Sequence, residues 1–257
     1  MNLTDPILIL GAGESGVGSA LLAKSLGARA FVSDAGDGKG PGVTELEAAG
    51  IAFEIGGHQP GGWADTAAVV KSPGIPDTAP VVQTCIAQGR EVISEIEYAS
   101  RAHRALGHTD PVVAVTGANG KTTTTAMIDH LLRNEGWDTD CVGNIGTSWA
   151  RRLAERVTND EGQAQATVLE VSSFQLDGTN TFRPNVGLLL NSPRTTSTAM
   201  ATRWPTTPHQ SGASPPRKPR RTTSFTTRTA SGPSACWTNT VRPPNCCPSA
   251  PNAPSTR

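Results

Sequence analysis

Two glycine-rich stretches hold the residues whose types and spacing could do chemistry. The first, Gly11-Ala12-Gly13-Glu14-Ser15-Gly16, has the G-x-G-x-x-G spacing, in which glycines permit a tight turn and let a phosphate approach a helix N-terminus. Asp34 follows Gly16 by 18 residues at the end of the next apolar run, where a carboxylate could hold the ribose hydroxyls of a nicotinamide dinucleotide. The same spacing fits any tight strand-to-helix turn, and the same Asp34 could be solvated, so this stretch alone leaves an oxidoreductase reading open. The second stretch is Thr116-Gly117-Ala118-Asn119-Gly120-Lys121-Thr122-Thr123. Its backbone N–H groups from Ala118 to Thr122 can cradle nucleotide phosphates, Lys121 can neutralise their charge, and the Thr122 hydroxyl can sit on Mg²⁺. The general phosphate-loop spacing needs a glycine at position 115, where the chain has Val115, so the loop is a shorter variant.

The elements around the loops decide whether they can work. Ile7-Leu8-Ile9-Leu10 reads as a strand buried on both faces, Val17 to Leu26 as a helix ended by Gly27, and Ala30-Phe31-Val32 as a second strand closing on Asp34. A helix at Val43–Ala49, strands at Ala52–Ile55 and Ala67–Val70, and a helix near Val81–Gln88 continue the alternation to a boundary near Ser94. A helix over Glu95–Arg104 and a polar turn, Gly107-His108-Thr109-Asp110, lead into a second unit. That unit is predicted to hold a strand at Pro111–Val115, a helix to about Asn134, a strand at Asp140–Val142, a helix from Ser148 to Arg156, and strands at Thr167–Val171 and Val186–Leu190. Strands alternating with helices argue for parallel sheets, hence an α/β fold with two sheets, each opened by a glycine-rich loop.

Charge divides the chain sharply. Residues 1–191 hold all 22 acidic and 13 of the 22 basic side chains, a net charge of −9, whereas residues 192–257 hold nine basic side chains and no acid. That last stretch also has 12 of the 20 prolines and 14 threonines, with no leucine or isoleucine, so it cannot bury enough apolar surface to offset the entropy of ordering its backbone. It is expected to be disordered. No apolar run approaches a membrane span and the start lacks a basic signal-peptide region, which points to a cytoplasmic protein. Cys85 and Cys141, isolated from other ligands, read as buried reduced thiols, and no metal site made of cysteines is implied.

The second loop resembles the ATP loop of the Mur ligases, the ATP-dependent amide-forming enzymes of peptidoglycan precursor synthesis, and folylpolyglutamate synthases share it. Lys71-Ser72-Pro73-Gly74-Ile75, Gly143-Asn144-Ile145-Gly146 and Leu169-Glu170-Val171-Ser172-Ser173-Phe174-Gln175-Leu176 extend the resemblance over residues 7–191 and place it nearest the D-glutamate-adding branch. The resemblance implies a Rossmann-like UDP-sugar domain at 1–93 and a P-loop-type ATP domain, incomplete, at 94–191. It implies ATP and Mg²⁺ as cofactors, and UDP-N-acetylmuramoyl-L-alanine and D-glutamate as substrates of a monomer that needs no membrane or nucleic acid. Gly117, Ala118, Asn119, Gly120, Lys121, Thr122 and Thr123 would bind ATP. Thr122 and Glu170 would hold the metal, and Lys121, Asn144 and Glu170 would be catalytic. Gly13, Ser15 and Gly16 would meet the substrate diphosphate, with Asp34 and Ser72 near the uridine. The chemistry implied is phosphorylation of a carboxylate to an acyl phosphate, which an amine then attacks.

The family also implies an Asp-His motif after Leu190-Asn191, a carbamylated lysine and a C-terminal amino-acid domain, none recognisable here. A slip of reading frame accounts for this. Thr codons read one base over encode only Asp, His, Asn or Tyr, and Arg194-Thr195-Thr196-Ser197-Thr198-Ala199-Met200-Ala201 can conceal Pro-Asp-His-Leu-Asp-Arg-Tyr-Gly. The expectation is an inactive, out-of-frame ligase fragment. The alternative is a non-catalytic nucleotide-binding protein whose basic arm binds nucleic acid.

Overall fold

The computed structural model describes residues 2–59 and 62–191, so the segment expected to be disordered, 192–257, lies outside the described residues. The first half is built as the apolar runs dictate. Strands β1 (Ile7–Leu10), β2 (Ala30–Asp34), β3 (Ala52–Ile55), β4 (Ala68–Lys71) and β5 (Glu91–Ser94) form one parallel sheet in the order β3-β2-β1-β4-β5. Every residue of β1 and β4 is buried, as central strands covered on both faces require. Helices α1 (Glu14–Ser25), α2 (Pro41–Ala48) and α3 (Pro80–Ala87) make the crossovers.

Helix α4 (Glu95–Ala105) carries the chain into a second parallel sheet. Its strands β6 (Val112–Thr116), β7 (Thr139–Gly143), β8 (Ala166–Glu170) and β9 (Val186–Leu189) lie in the order β7-β8-β6-β9. Helices α5 (Lys121–Asn134), α6 (Trp149–Asn159) and the single turn α7 (Ser173–Leu176) complete it.

Three details depart from the sequence reading. Residues 91–94, expected as a boundary, are the fifth strand, with Val92 opposite Val69 and Ile93 opposite Val70. Helix α1 begins at Glu14, ahead of the expected Val17, because Gly16 belongs to its first turn and packs on the loop that precedes it. Cys85 is buried as expected, but Cys141 is only half-buried. Burial raises the pKa of both thiols, so neither is an activated nucleophile.

The boundary near Ser94 is a change of sheet and leaves the core unbroken. One apolar cluster runs from Ile7, Ile9 and Val17 through Ile96, Tyr98 and Ala99 to Trp149, Leu153 and Phe182, so α1, α4 and α6 seal the two sheets together. Each such fully buried side chain contributes roughly 1.5–3 kcal/mol. A second cluster, with Leu8, Leu10, Val69, Val82 and Cys85, fills the other face of the first sheet. Among the described residues no helix is long and apolar enough to cross a membrane.

Candidate functional site

In the first sheet the strand order reverses at β1 and β4, so a crevice opens at their C-terminal ends, the usual ligand position in such sheets. Both flanks of that crevice are residues singled out from the sequence. Gly11 has φ +100°, and a Cβ on it would lie 2.5 Å from Ser72 Oγ. A Cβ on Gly16 would lie 1.9 Å from the Gly11 carbonyl oxygen, and one on Gly42 would lie 2.2 Å from that of Ala12. Gly13, by contrast, is exposed and has nothing within 4 Å of its Cβ position. It precedes α1 without any side-chain cap, which leaves the helix's first N–H groups to a ligand.

Asp34 is half-buried and engaged. Its Oδ2 accepts from the Ala12 N–H and its Oδ1 from the Gly36 N–H, both at 2.6 Å, so it braces the loop after β1 against the loop after β2. Ser72 Oγ is buried without a hydrogen-bond partner, beside the crevice. Lys71, which sequence reasoning passed over as a site residue, shapes this rim. Its buried ammonium donates to the Ile75 carbonyl at 2.6 Å and pairs with Asp77 at 3.1 Å, closing the turn that carries Ser72. Its place at the end of an apolar strand was the available signal.

The second crevice gathers the C-terminal ends of β6, β7, β8 and β9. Gly117 (φ +146°) and Gly120 (φ +82°) bend the loop after β6 into the start of α5, whose first turn exposes Thr122 and Thr123. Lys121 Nζ folds back to donate to the carbonyls of Gly117 (2.9 Å) and Ala118 (3.2 Å). Glu170 closes β8 at 1% exposure. Its Oε1 accepts from the Asn144 side-chain amide at 2.9 Å, while its Oε2 is buried with no partner. Thr116 Oγ1, ending β6, is also buried and unpartnered. A desolvated carboxylate oxygen without a donor costs free energy that a divalent cation would recover, so the donor set fits a hard metal such as Mg²⁺.

Two residues missed at the sequence level complete the second crevice. Asn191 Oδ1 accepts from the N–H groups of Ala118 (3.0 Å) and Asn119 (2.9 Å), and its Nδ2 donates to the Asn119 carbonyl at 2.9 Å. Gly143 (φ +113°) lets β7 approach β8, since a Cβ there would lie 2.2 Å from the Glu170 carbonyl oxygen. The Ser-Ser-Phe-Gln-Leu run forms α7, capped reciprocally: Ser172 Oγ accepts from the Gln175 N–H at 3.3 Å, and Gln175 Oε1 accepts from the Ser172 N–H at 2.9 Å. The Ser-x-x-Gln spacing of a capping box was the signal for this helix.

The crevices are tied together through α6. Glu14 of α1 accepts from the Ser148 N–H at 2.9 Å and pairs with Arg151, which also grips Glu45 of α2. Burial would raise the Glu14 pKa, but Arg151 and the Ser148 N–H hold it below its ordinary value. Glu95, fully buried at the start of α4, accepts from the Ala150 N–H at 2.7 Å.

Comparison with known proteins agrees with this anatomy. Residues 5–94 match the MurD-like N-terminal domain of Mur ligases, and residues 115–194 match the Mur ligase middle domain. The chain is 44% identical over 189 residues to the UDP-N-acetylmuramoylalanine–D-glutamate ligase of Cytophaga hutchinsonii, covering 74% of this chain and 40% of that one. It is also 44% identical over 185 residues to the ligase of the same name from Porphyromonas gingivalis, covering 72% and 39%. The chain thus spans about 40% of the length of these curated relatives. Among solved structures, the UDP-N-acetylmuramate-alanine ligase MurC of Thermotoga maritima superposes with a TM-score of 0.51 at 22% identity, over 77% of this chain and 45% of that one. That likeness speaks for the shared fold. The phosphate loop, the switch-point crevice and the two matched domains together make this chain a member of the Mur ligase family, carrying its MurD-like N-terminal domain and its middle domain.

Proposed function

We propose that the chain comprises the UDP-sugar-binding and ATP-binding parts of a ligase that joins D-glutamate to UDP-N-acetylmuramoyl-L-alanine. The name carried by its 44%-identical relatives supports the substrates. The single observation that carries the catalytic half is the unpartnered, buried Glu170 Oε2 beside the loop at Gly117–Lys121.

In this reading the uncapped start of α1 at Gly13, Ser15 and Gly16 takes the diphosphate of the nucleotide sugar. Ser72 offers its free hydroxyl to the uridine side, and Asp34 keeps the loop in shape. ATP, when bound, would supply the phosphoryl group that activates the substrate carboxylate, with Mg²⁺ neutralising phosphate charge. Glu170 and Thr122 hold the metal, and Asn144 orients Glu170 by occupying its other oxygen. Lys121 is already turned toward the loop, so its charge is preorganised where phosphate charge develops. The two units, 1–93 and 94–191, divide the work while sharing one core.

Calorimetric titration of the chain with MgATP, UDP-N-acetylmuramoyl-L-alanine and NAD⁺ tests the reading. Binding of the first two, with MgATP weakened in Lys121→Ala, is the expected result. Preference for NAD⁺ over the nucleotide sugar, or MgATP binding indifferent to Lys121, overturns it.

A further inference from the structure

The polar turn between the two sheets contains a cluster that the ligase reading does not use. Helix α4 ends in a Schellman motif: the Gly107 N–H donates to the Arg104 carbonyl at 3.1 Å and the His108 N–H to the His103 carbonyl at 3.1 Å, with Gly107 at φ +76°. The motif usually brings two apolar side chains together at these positions. Here it brings two imidazoles together, with ring centroids 5.1 Å apart and planes at 85°. Asp110, two residues on, turns its carboxylate to the same point, and its Oδ1 lies 2.8 Å from His103 Nε2. One ligand atom from each of His103, His108 and Asp110 falls within 4.8 Å of the others.

We propose that His103, His108 and Asp110 form a transition-metal site, with Zn²⁺ as its preferred ion. Two imidazoles and one carboxylate are a donor set suited to zinc, which is four-coordinate and leaves the last position to water. Tetrahedral donors about 2.0–2.1 Å from zinc stand roughly 3.3 Å apart, so small side-chain movements close the cluster on an ion. The supporting groups are in place. Asp110 Oδ2 accepts from the Thr167 hydroxyl of β8 at 2.9 Å, which fixes the carboxylate with Oδ1 turned inward. The His103 and Asp110 side chains are 8% and 1% exposed, whereas His108 is only half-buried and gives the ion a way in. The charges that act on the His108 ring from the neighbouring elements are those of Asp140 and Arg156. These are paired with each other at 2.7 and 2.8 Å, so no uncompensated cation opposes the metal. Zinc takes an imidazole through its unprotonated nitrogen, so binding at His103 Nε2 leaves the ring's proton on Nδ1. Such an ion would pin the end of α4 to the start of β6, outside both crevices.

Zinc titration of the metal-free chain by calorimetry tests the site. One Zn²⁺ per chain is expected, undisturbed by excess Mg²⁺. His108→Ala should weaken zinc roughly ten- to a hundredfold, and the metal-free melting temperature of the same variant reports separately the loss of its ring contact with His103. Cobalt substitution of the unaltered chain gives a second reading, with the intense visible bands of a tetrahedral ion expected. No zinc uptake, equal affinity in His108→Ala, or the pale spectrum of an octahedral cobalt ion overturns the proposal.

Discussion

The two glycine loops are alike in sequence character and differ in what surrounds them. Around the first, the Asp34 carboxylate is taken by two backbone N–H groups, and the neutral Ser72 hydroxyl and the uncapped N–H groups at the start of α1 are left. Around the second, an anionic oxygen of Glu170 and the Thr116 hydroxyl are unpartnered, and an ammonium lies across the loop. Glycine spacing therefore specifies a tight strand-to-helix turn in both places. The orphaned groups specify the chemistry. The proposed reading, binding at the first loop and reaction at the second, follows this difference: neutral donors are left at the first, and a buried carboxylate oxygen without a donor lies beside the second.

The comparison breaks first at glycine. Gly16→Ala drives a Cβ into the Gly11 backbone, which no side-chain rotation relieves, and is expected to cost about 3 kcal/mol or more. Gly13→Ala meets nothing within 4 Å and has ordinary φ, so chemical denaturation should find it near wild type while nucleotide-sugar binding falls. Equal stability losses in the two variants would show that the loop's glycines serve folding alone.

The tie between the loops depends on pH through α4. Glu95 is pushed up to about 7, chiefly by burial, with the Ala150 N–H opposing and Glu14 adding to the rise. A carboxyl raised in the fold contributes stability below its unfolded value near 4.5, and that contribution is lost as pH rises through about 7. Unfolding free energies between pH 5 and 8 should therefore fall by an amount on the order of 3 kcal/mol, and Glu95→Gln should flatten the curve. Two residues on, Glu97 behaves oppositely. Burial would raise it, but hydrogen bonds from Thr181, Arg101 and the Asn180 N–H hold it down to about 2. Its contribution is present above about 4.5 and is lost as pH falls toward 2, so Glu97→Gln removes stability at neutral pH and little in strong acid.

A charge test comes next in size. Lys121→Ala deletes the one side-chain cation seated on the second loop's carbonyls and should weaken MgATP by ~1.5–3 kcal/mol, roughly ten- to a hundredfold. Nucleotide-sugar binding should not change. Loss of both ligands together would mean that the loops act as one site.

Much of this was legible beforehand because it rests on local rules. Buried apolar runs marked β1, β4 and β6, and the glycine spacing marked both crevices. Glu170 was recognisable as a strand-end carboxylate. What escaped depends on tertiary context. Strand β5 has one partner strand and only two apolar residues, so its sequence resembles a loop. Asp34 read as equally able to be solvated, since nothing in its own neighbourhood tells that Ala12, 22 residues away, points an N–H at it. The shared core escaped for the same reason, because small residues such as Gly18, whose Cβ position lies 2.2 Å from Ser148 Oγ, carry no hydrophobic signal.

Asn191 offers the finest test of the contrast between the loops. Its side chain accepts from the N–H groups of Ala118 and Asn119, the donors a phosphate would need, and thereby stands where an anion's oxygen would stand. Nucleotide must displace it or bind around it. If it is displaced, the three hydrogen bonds of its side chain are given up, a penalty of about 1–3 kcal/mol, and Asn191→Ala should tighten MgATP about tenfold by removing the competitor. The first loop holds no such occupant at Gly13, so nucleotide-sugar affinity should stay constant in the same variant. Weaker MgATP binding in Asn191→Ala would instead make the amide part of the cradle, shaping the nest that receives the phosphate. Amide hydrogen exchange at Asn119 distinguishes the two, since the Ala118 N–H keeps the Asn191 backbone carbonyl as an acceptor at 3.1 Å. In the ligand-free chain it should speed up on substitution, and under MgATP it should slow again only if phosphate takes over the same donors.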